Sequence, residues 1–302
     1  MHSYSYIETM MINMNVLKMK GGKALISYDF EYYLPSSIKE AVHVFEDLHK
    51  QGKDPIYFSG GTEIITLGRL NMVKTGAVID IKQIPECQMF KLQHDSLITG
   101  AANTLTHIEE RNLFPLLSKT VSEIADRTAR NKITAGGNIC GQIFYRESVL
   151  PFLLTDSQMV IAGRNGIKTV SILEAFNQRL LLEHGELLVQ IKTDQSYLNQ
   201  PFISMKKRRQ WDTGYPLITV AALKVHGMIR IAISGLTSYP FRSTQMEQKL
   251  NNRGNSLNQR INEAIHTLQV PHLDDSEGSF PYRLFVLKNT IRDVLHQLEG
   301  EE

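Results

Sequence analysis

Two glycine pairs are the residues of this chain best suited to chemistry: "FSGGTEII", Phe58 to Ile65, and "ITAGGNICG", Ile133 to Gly141. Without a Cβ, glycine lets main-chain N–H groups come close to another molecule, and successive N–H groups form a concave nest for anions. Neither run has the spacing G-x-G-x-x-G or G-x-x-x-x-G-K-[ST], so the sequence carries neither a Rossmann fingerprint nor a P-loop. Either pair taken alone reads more simply as a tight turn. The flanks favour a ligand. The first pair directly follows the apolar run Ile56 to Phe58, at the carboxyl end of an expected strand, where ligands gather in α/β sheets. Thr62 adds a hydroxyl and Asn138 a carboxamide, both suited to diphosphate or ribityl oxygens. Two such loops match the two phosphates of one dinucleotide.

Other reactive residues carry less. The ten histidines come with no H-E-x-x-H or C-x-x-C companion, so no metal site is expected. The two cysteines, Cys87 and Cys140, can neither build a disulfide framework nor hold an iron–sulfur cluster, which needs four ligands. Such sparing use of cysteine suits a reducing cytoplasm. Cys140 reads as a small packing residue beside the second loop, Lys207 to Arg209 as a solvated strand end, and Trp211 as a core or interface residue. No side chain is expected to act as an acid–base catalyst.

The elements that must position these loops follow from patterning. A chain of 302 residues with 42% hydrophobic content supports two domains more readily than one. A net charge of +2 gives no reason to expect a nucleic-acid or membrane surface, and no apolar run approaches the ~20 residues of a membrane helix. Residues 1–22 read as a loose extension. Ser37 and Glu40 form a capping box before a helix whose Ile38, Ala41, Val42, Phe45 and Leu48 share one face. Strands at Ile56 to Phe58 and at Ala77 to Ile81 then read as a β-turn-β succession. Short strands "FKL" and "LITG" flank the turn His94-Asp95-Ser96, and helical pattern runs from Thr106 to Asp126 with a break at Pro115. The run "ESVLPFLLTDSQM" reads as a helix. A hairpin turning at Arg164-Asn165-Gly166 follows it, and then strands at "ELLVQIKT" and "PFISMKKRR". From near residue 197 the chain reads as a separate α+β unit, with a strand pair turned at His226-Gly227 and two terminal helices.

The order "FSGGTEII", "IDIKQIPE", "LITGAANTLTHI", "ARNKITAGGNI", "ELLVQI", "FISMKKRR" resembles the FAD-binding subunit of the molybdenum hydroxylases, the xanthine dehydrogenase and carbon monoxide dehydrogenase flavoprotein group. The resemblance runs from about Phe30 to Leu295. It implies an α+β protein with a two-subdomain FAD-binding fold of the vanillyl-alcohol oxidase and p-cresol methylhydroxylase type over residues 23–196, divided near residue 82. A C-terminal α+β domain like that of carbon monoxide dehydrogenase flavoproteins would then span 197–302. Tyr57, Phe58, Ser59, Gly60, Gly61, Thr62, Glu63 and Ile64 match the first diphosphate loop, and Thr134, Gly136, Gly137 and Asn138 the second. Glu147 falls where the family has an acidic residue reaching the adenosine end. Ile124 and Ala125 match residues lining the flavin, while Leu188 and Lys206 match residues at the isoalloxazine ring. The chain departs from the family's usual Gly-Thr-Ile-Gly-Gly-Asn at Ile133 and Ala135, and carries one extra residue between Glu147 and Pro151.

By the same resemblance the chain would bind FAD non-covalently. It would take electrons from a [2Fe–2S] partner subunit, fed in turn by a molybdopterin subunit, and pass them to NAD+ or another acceptor. Glu63 inclines the likeness toward the xanthine dehydrogenases and purine catabolism. Two alternatives stay open at this point: a stand-alone flavin oxidoreductase of the vanillyl-alcohol oxidase type, and a non-enzymatic subunit that has lost FAD.

Overall fold

The computed structural model describes residues 26–209 and 214–300. The expected extension over residues 1–22 and Trp211 lie outside the described residues. Helix α1 (Ile38–Lys50) starts where the capping pattern places it: Ser37 Oγ accepts the Glu40 N–H at 3.2 Å. The reciprocal arm falls one residue earlier than the capping box implies, because the Glu40 carboxylate accepts from Ser36 N and Oγ. Ala41, Phe45 and Leu48 are buried, with Ile38 and Val42 packed at the edge of the core.

Strands β1 (Glu31–Tyr33), β2 (Ile56–Phe58) and β3 (Ala77–Asp80) form a parallel sheet in the order β1-β3-β2. Parallel neighbours cannot be joined by a tight turn, so the expected β-turn-β succession is corrected. An eight-residue helix, α2 (Thr62–Arg69), crosses from β2 to β3 and begins directly after Gly61.

The second sheet is antiparallel. Its strands β4 (Phe90–Gln93), β5 (Ser96–Gly100), β6 (Gln158–Gly163), β7 (Gly166–Ser171) and β10 (Leu187–Asp194) run in the order β4-β5-β10-β6-β7, with a small ribbon, β8 (Phe176–Asn177) and β9 (Arg179–Leu180), beside it. Both hairpins are tighter than their sequence pattern indicates. The β4–β5 turn is His94-Asp95 alone, with Ser96 paired to Gln93. The β6–β7 turn is Arg164-Asn165, with Gly166 paired to Gly163. The break at Pro115 separates α3 (Leu105–Arg111) from α4 (Pro115–Ser122), and Asn112 closes α3 in the left-handed region at φ 45°. Helix α5 (Ala135–Cys140) holds the second glycine pair. The helix expected over "ESVLPFLLTDSQM" is shorter. A 3-10 turn, Glu147–Val149, leads into α6 (Leu150–Leu154), and Gln158 and Met159 already belong to β6.

The remaining strands, β11 (Phe202–Lys207), β12 (Ile218–Val225), β13 (Met228–Ser234) and β14 (Phe241–Arg242), form an antiparallel sheet in chain order. His226 and Gly227, both at positive φ, make the β12–β13 turn. Three helices follow where two were expected: α7 (Thr244–Leu250), α8 (Leu257–His266) and α9 (Phe280–Glu299). Two apolar cores result. One joins α1, the first two sheets and α3 to α6; the other lies between the third sheet and α7 to α9. Strand β12 serves both. Ala221, Leu223 and Val225 point into the first, and Ile218, Val220 and Ala222 into the second, as the alternation of a strand requires. No helix among the described residues is long and apolar enough to cross a membrane.

Candidate functional site

The first glycine segment is shaped by contacts that exclude a side chain. A Cβ on Gly60 would stand 1.8 Å from the Lys132 carbonyl oxygen. Gly61 sits at φ 74° as the N-cap of α2, where a Cβ would meet the Phe58 ring at 2.3 Å. The turn leaves its donors free. Among the described residues, no backbone N–H from Ser59 to Ile64 donates a hydrogen bond, and Gly61 offers α2 no side-chain cap. Orphan amides are normal in a first helical turn; here they extend back through both glycines. The Ser59 hydroxyl is also buried without a partner. Tyr57 anchors the segment from below: its ring stacks on Phe45 at 5.0 Å and its hydroxyl donates to Gly185 O at 3.0 Å. Burial pushes that phenol's pKa up. Thr62 is exposed, and Ile64 half-buried.

Lys82, absent from the sequence-derived set, stands beside this segment. Its Nζ donates to Ser59 O at 2.9 Å and lies 4.8 Å from the Phe58 ring centroid. Its position just after β3, at the same sheet end as "SGG", is a signal the sequence did contain.

The second segment is built the other way. Ala135 N donates to Asn103 O and Gly136 N to Ala101 O, both at 2.9 Å. Thr134 Oγ1 accepts from Gly137 N at 3.2 Å, and Thr134 O accepts from Asn138 N at 2.8 Å. Every amide from Ala135 to Asn138 is therefore engaged within the protein. Gly136 has a steric reason to be glycine, since a Cβ would lie 2.6 Å from that of Ala101. Gly137 is exposed, and the one atom a Cβ would meet is its own cap, Thr134 Oγ1, at 2.8 Å. Asn138 Oδ1 accepts from Ser148 N and Oγ, leaving Nδ2 without a partner among the described residues. The unusual Ile133 and Ala135 fit: Ile133 O accepts from Leu105 N and its side chain packs on the core, while Ala135 is fully buried.

The two segments meet. Gly60 packs on the Lys132–Ile133 backbone. Glu63, in the first turn of α2, accepts from Gln142 N at 2.6 Å and Ile143 N at 3.1 Å, just beyond α5. Cys140, expected as a packing residue, is instead exposed at the end of α5.

The other candidate residues form a second cluster. Lys206 and Glu147 are almost wholly buried and face each other at 2.9 Å. Thr219 Oγ1 donates to the second Glu147 oxygen at 2.6 Å, so both carboxylate oxygens are engaged. Lys206 Nζ also donates to Glu123 O at 2.9 Å, as does Arg208 Nη2 at 2.8 Å. This ties β11 to the turn at Ile124 and Ala125. Ile124 is buried, and Ala125 holds a left-handed φ of 50° with its carbonyl accepting from Arg130 Nη1. Leu188 is buried beside a β-bulge in β10, and the next residue, Val189, accepts from Ala101 N. Ala101 thus links Leu188 to Gly136.

Free amides from Ser59 to Ile64, an orphan hydroxyl at Ser59 and a cradle that a Cβ would fill are what a diphosphate requires, so the residues fit a dinucleotide such as FAD. Comparison with known proteins agrees. Residues 28–193 match the family model described as the FAD binding domain in molybdopterin dehydrogenase. The chain is 24% identical over 306 residues to the nicotinate dehydrogenase FAD-subunit of Eubacterium barkeri, covering 90% of this chain and 98% of the relative. It is 26% identical over 265 residues to the caffeine dehydrogenase subunit beta of Pseudomonas sp. (strain CBB1), covering 83% and 87%. A solved carbon monoxide dehydrogenase from Hydrogenophaga pseudoflava, lacking the Mo-pyranopterin moiety of its cofactor, has a chain of the same fold. The TM-score is 0.81 at 23% identity, over 90% of this chain and 98% of that one.

Proposed function

The chain belongs to the family of FAD-binding domains of molybdopterin dehydrogenases, and from that membership we propose that it is the electron-transfer subunit of a molybdenum hydroxylase complex. The chemistry supplied by bound FAD is electron exchange between a [2Fe–2S] partner subunit and NAD+ or another acceptor. A separate molybdopterin subunit carries out the hydroxylation.

The observation that carries this reading is the row of unpaired amides from Ser59 to Ile64 at the head of α2. They would receive the diphosphate, with Ser59 Oγ, while Asn138 Nδ2 bonds the cofactor from the facing segment. Ile124, Ala125 and Leu188 would line the flavin ring. Glu147 and Lys206 act as one unit: the carboxylate balances the ammonium's charge and fixes it beside the Ile124–Ala125 turn, so that the pair would act on the ring through the ammonium's remaining N–H. Glu63 braces the two glycine segments and so speaks for the site's shape, not for a substrate. Substrate choice rests with the molybdopterin subunit. The names of the relatives, nicotinate and caffeine dehydrogenases, support a nitrogen heteroaromatic, purines included.

Titrating flavin-free protein with FAD tests the reading. One FAD bound per chain is expected, and failure to bind FAD would end it. Rapid mixing of the reduced protein with NAD+ and with O2 then identifies the acceptor.

A further inference from the structure

Arg146 is used by none of these assignments, yet it is 6% exposed. Its backbone is left-handed, at φ 32° and ψ 43°, a conformation that costs an arginine free energy and often marks functional sites. The conformation sends neighbours to opposite sides. Glu147 turns to Lys206 and Thr219, while Arg146 turns to the end of α5. There its Nη1 reaches Gly141 O at a marginal 3.5 Å, and its guanidinium carbon lies 5.9 Å from the Phe176 ring centroid. The Nε–H is buried without a partner, and Nη2 donates no hydrogen bond among the described residues. Burial pulls the guanidinium's pKa down, and the Glu63 carboxylate, which makes no hydrogen bond to it, opposes that pull.

A desolvated guanidinium without a bonded counter-anion is unfavourable. The unused edge has a definite chemistry, because Nε–H and Nη2–H form the fork that grips a carboxylate or phosphate with two parallel bonds. Its location narrows the choice. Gly141, Gln142 and Ile143 run beside Glu63 at the head of α2, so Arg146 stands at the seam of the two glycine segments. The four amides from Ala135 to Asn138, which hold the second glycine pair, are engaged internally and have nothing to give a phosphate. We propose that Arg146 supplies the cationic donor edge to the dinucleotide's diphosphate from the second segment, in place of backbone amides. This rests on the FAD reading above.

The test compares wild type, Arg146→Met and Arg146→Lys as flavin-free protein, titrated with FAD, ADP and riboflavin. Loss of a charge-assisted pair of hydrogen bonds predicts FAD and ADP binding weaker by on the order of 10- to 100-fold in Arg146→Met, with riboflavin binding unchanged. Arg146→Lys, which keeps the charge without the fork, should show a smaller loss of the same selectivity. It carries the test by itself if the methionine variant does not fold. Phosphate-bearing ligands bound as in wild type, or riboflavin weakened equally, overturns the assignment. Wild type that binds no FAD overturns the FAD reading instead, so the two failures are distinguishable.

Discussion

The two glycine pairs use the same residue for different purposes. At Gly60 and Gly61 the missing side chains let the chain turn sharply against Lys132 and Phe58, and the turn exposes a run of amides with no internal acceptor. From Ala135 to Asn138 the amides are all engaged, two by Thr134, one by Ala101 and one by Asn103, and the segment is held like an edge strand against Asn103 and Leu105. The first pair presents donors. The second presents a smooth, exposed surface at Gly137, one free carboxamide at Asn138 and the approach to Arg146. A glycine pair is therefore no evidence of an amide nest until its hydrogen-bond partners are counted.

The comparison can be broken at several points. Gly60→Ala should have the largest effect on folding. Its Cβ meets a backbone carbonyl at 1.8 Å, and a loss of about 3 kcal/mol or more is expected from chemical denaturation. A near-neutral result would mean the segments do not touch there. Glu63→Gln comes next, because an amide N–H group would face the N–H groups of Gln142 and Ile143. About 1–3 kcal/mol should be lost, together with FAD affinity, as the segments move apart. Gly137→Val separates function from fold. Its Cβ crowds the Thr134 cap, so apo stability should fall by about 1–2 kcal/mol, less than for Gly60→Ala, while FAD retention after gel filtration is lost; a retained flavin would show that nothing passes over Gly137. Cys140→Ala should change neither the denaturation midpoint nor flavin content, since its side chain is exposed at the end of α5 and packs into neither core.

What could be read from sequence was local. The Ser37 cap, the break at Pro115, and the turns at Asn165 and at His226-Gly227 are decided by neighbouring residues, and the structure has them within a residue. The element missed after "SGG", helix α2, is only eight residues long, and two glycines at its head disguise it. Helix α5 was hidden for a related reason. Glycine is a poor helix former, and bonds from Asn103 and Ala101, far away in sequence, set its first turn. The same distance concealed the roles of Glu63 and of the Lys206–Glu147 pair. Their residue types marked them as candidates, but only the tertiary fold shows that one braces two loops and the others face each other. Arg146 carried no sequence signal at all, because its burial and its free edge exist only in three dimensions.

Hydrogen–deuterium exchange of the free and FAD-bound protein tests the central claim most directly. If the diphosphate rests on the first segment, the amides from Ser59 to Ile64 exchange fast in the free protein and become protected when FAD binds. Those from Ala135 to Asn138 should already be slow and change little. Protection gained at the second segment, with the first left unchanged, would contradict the account.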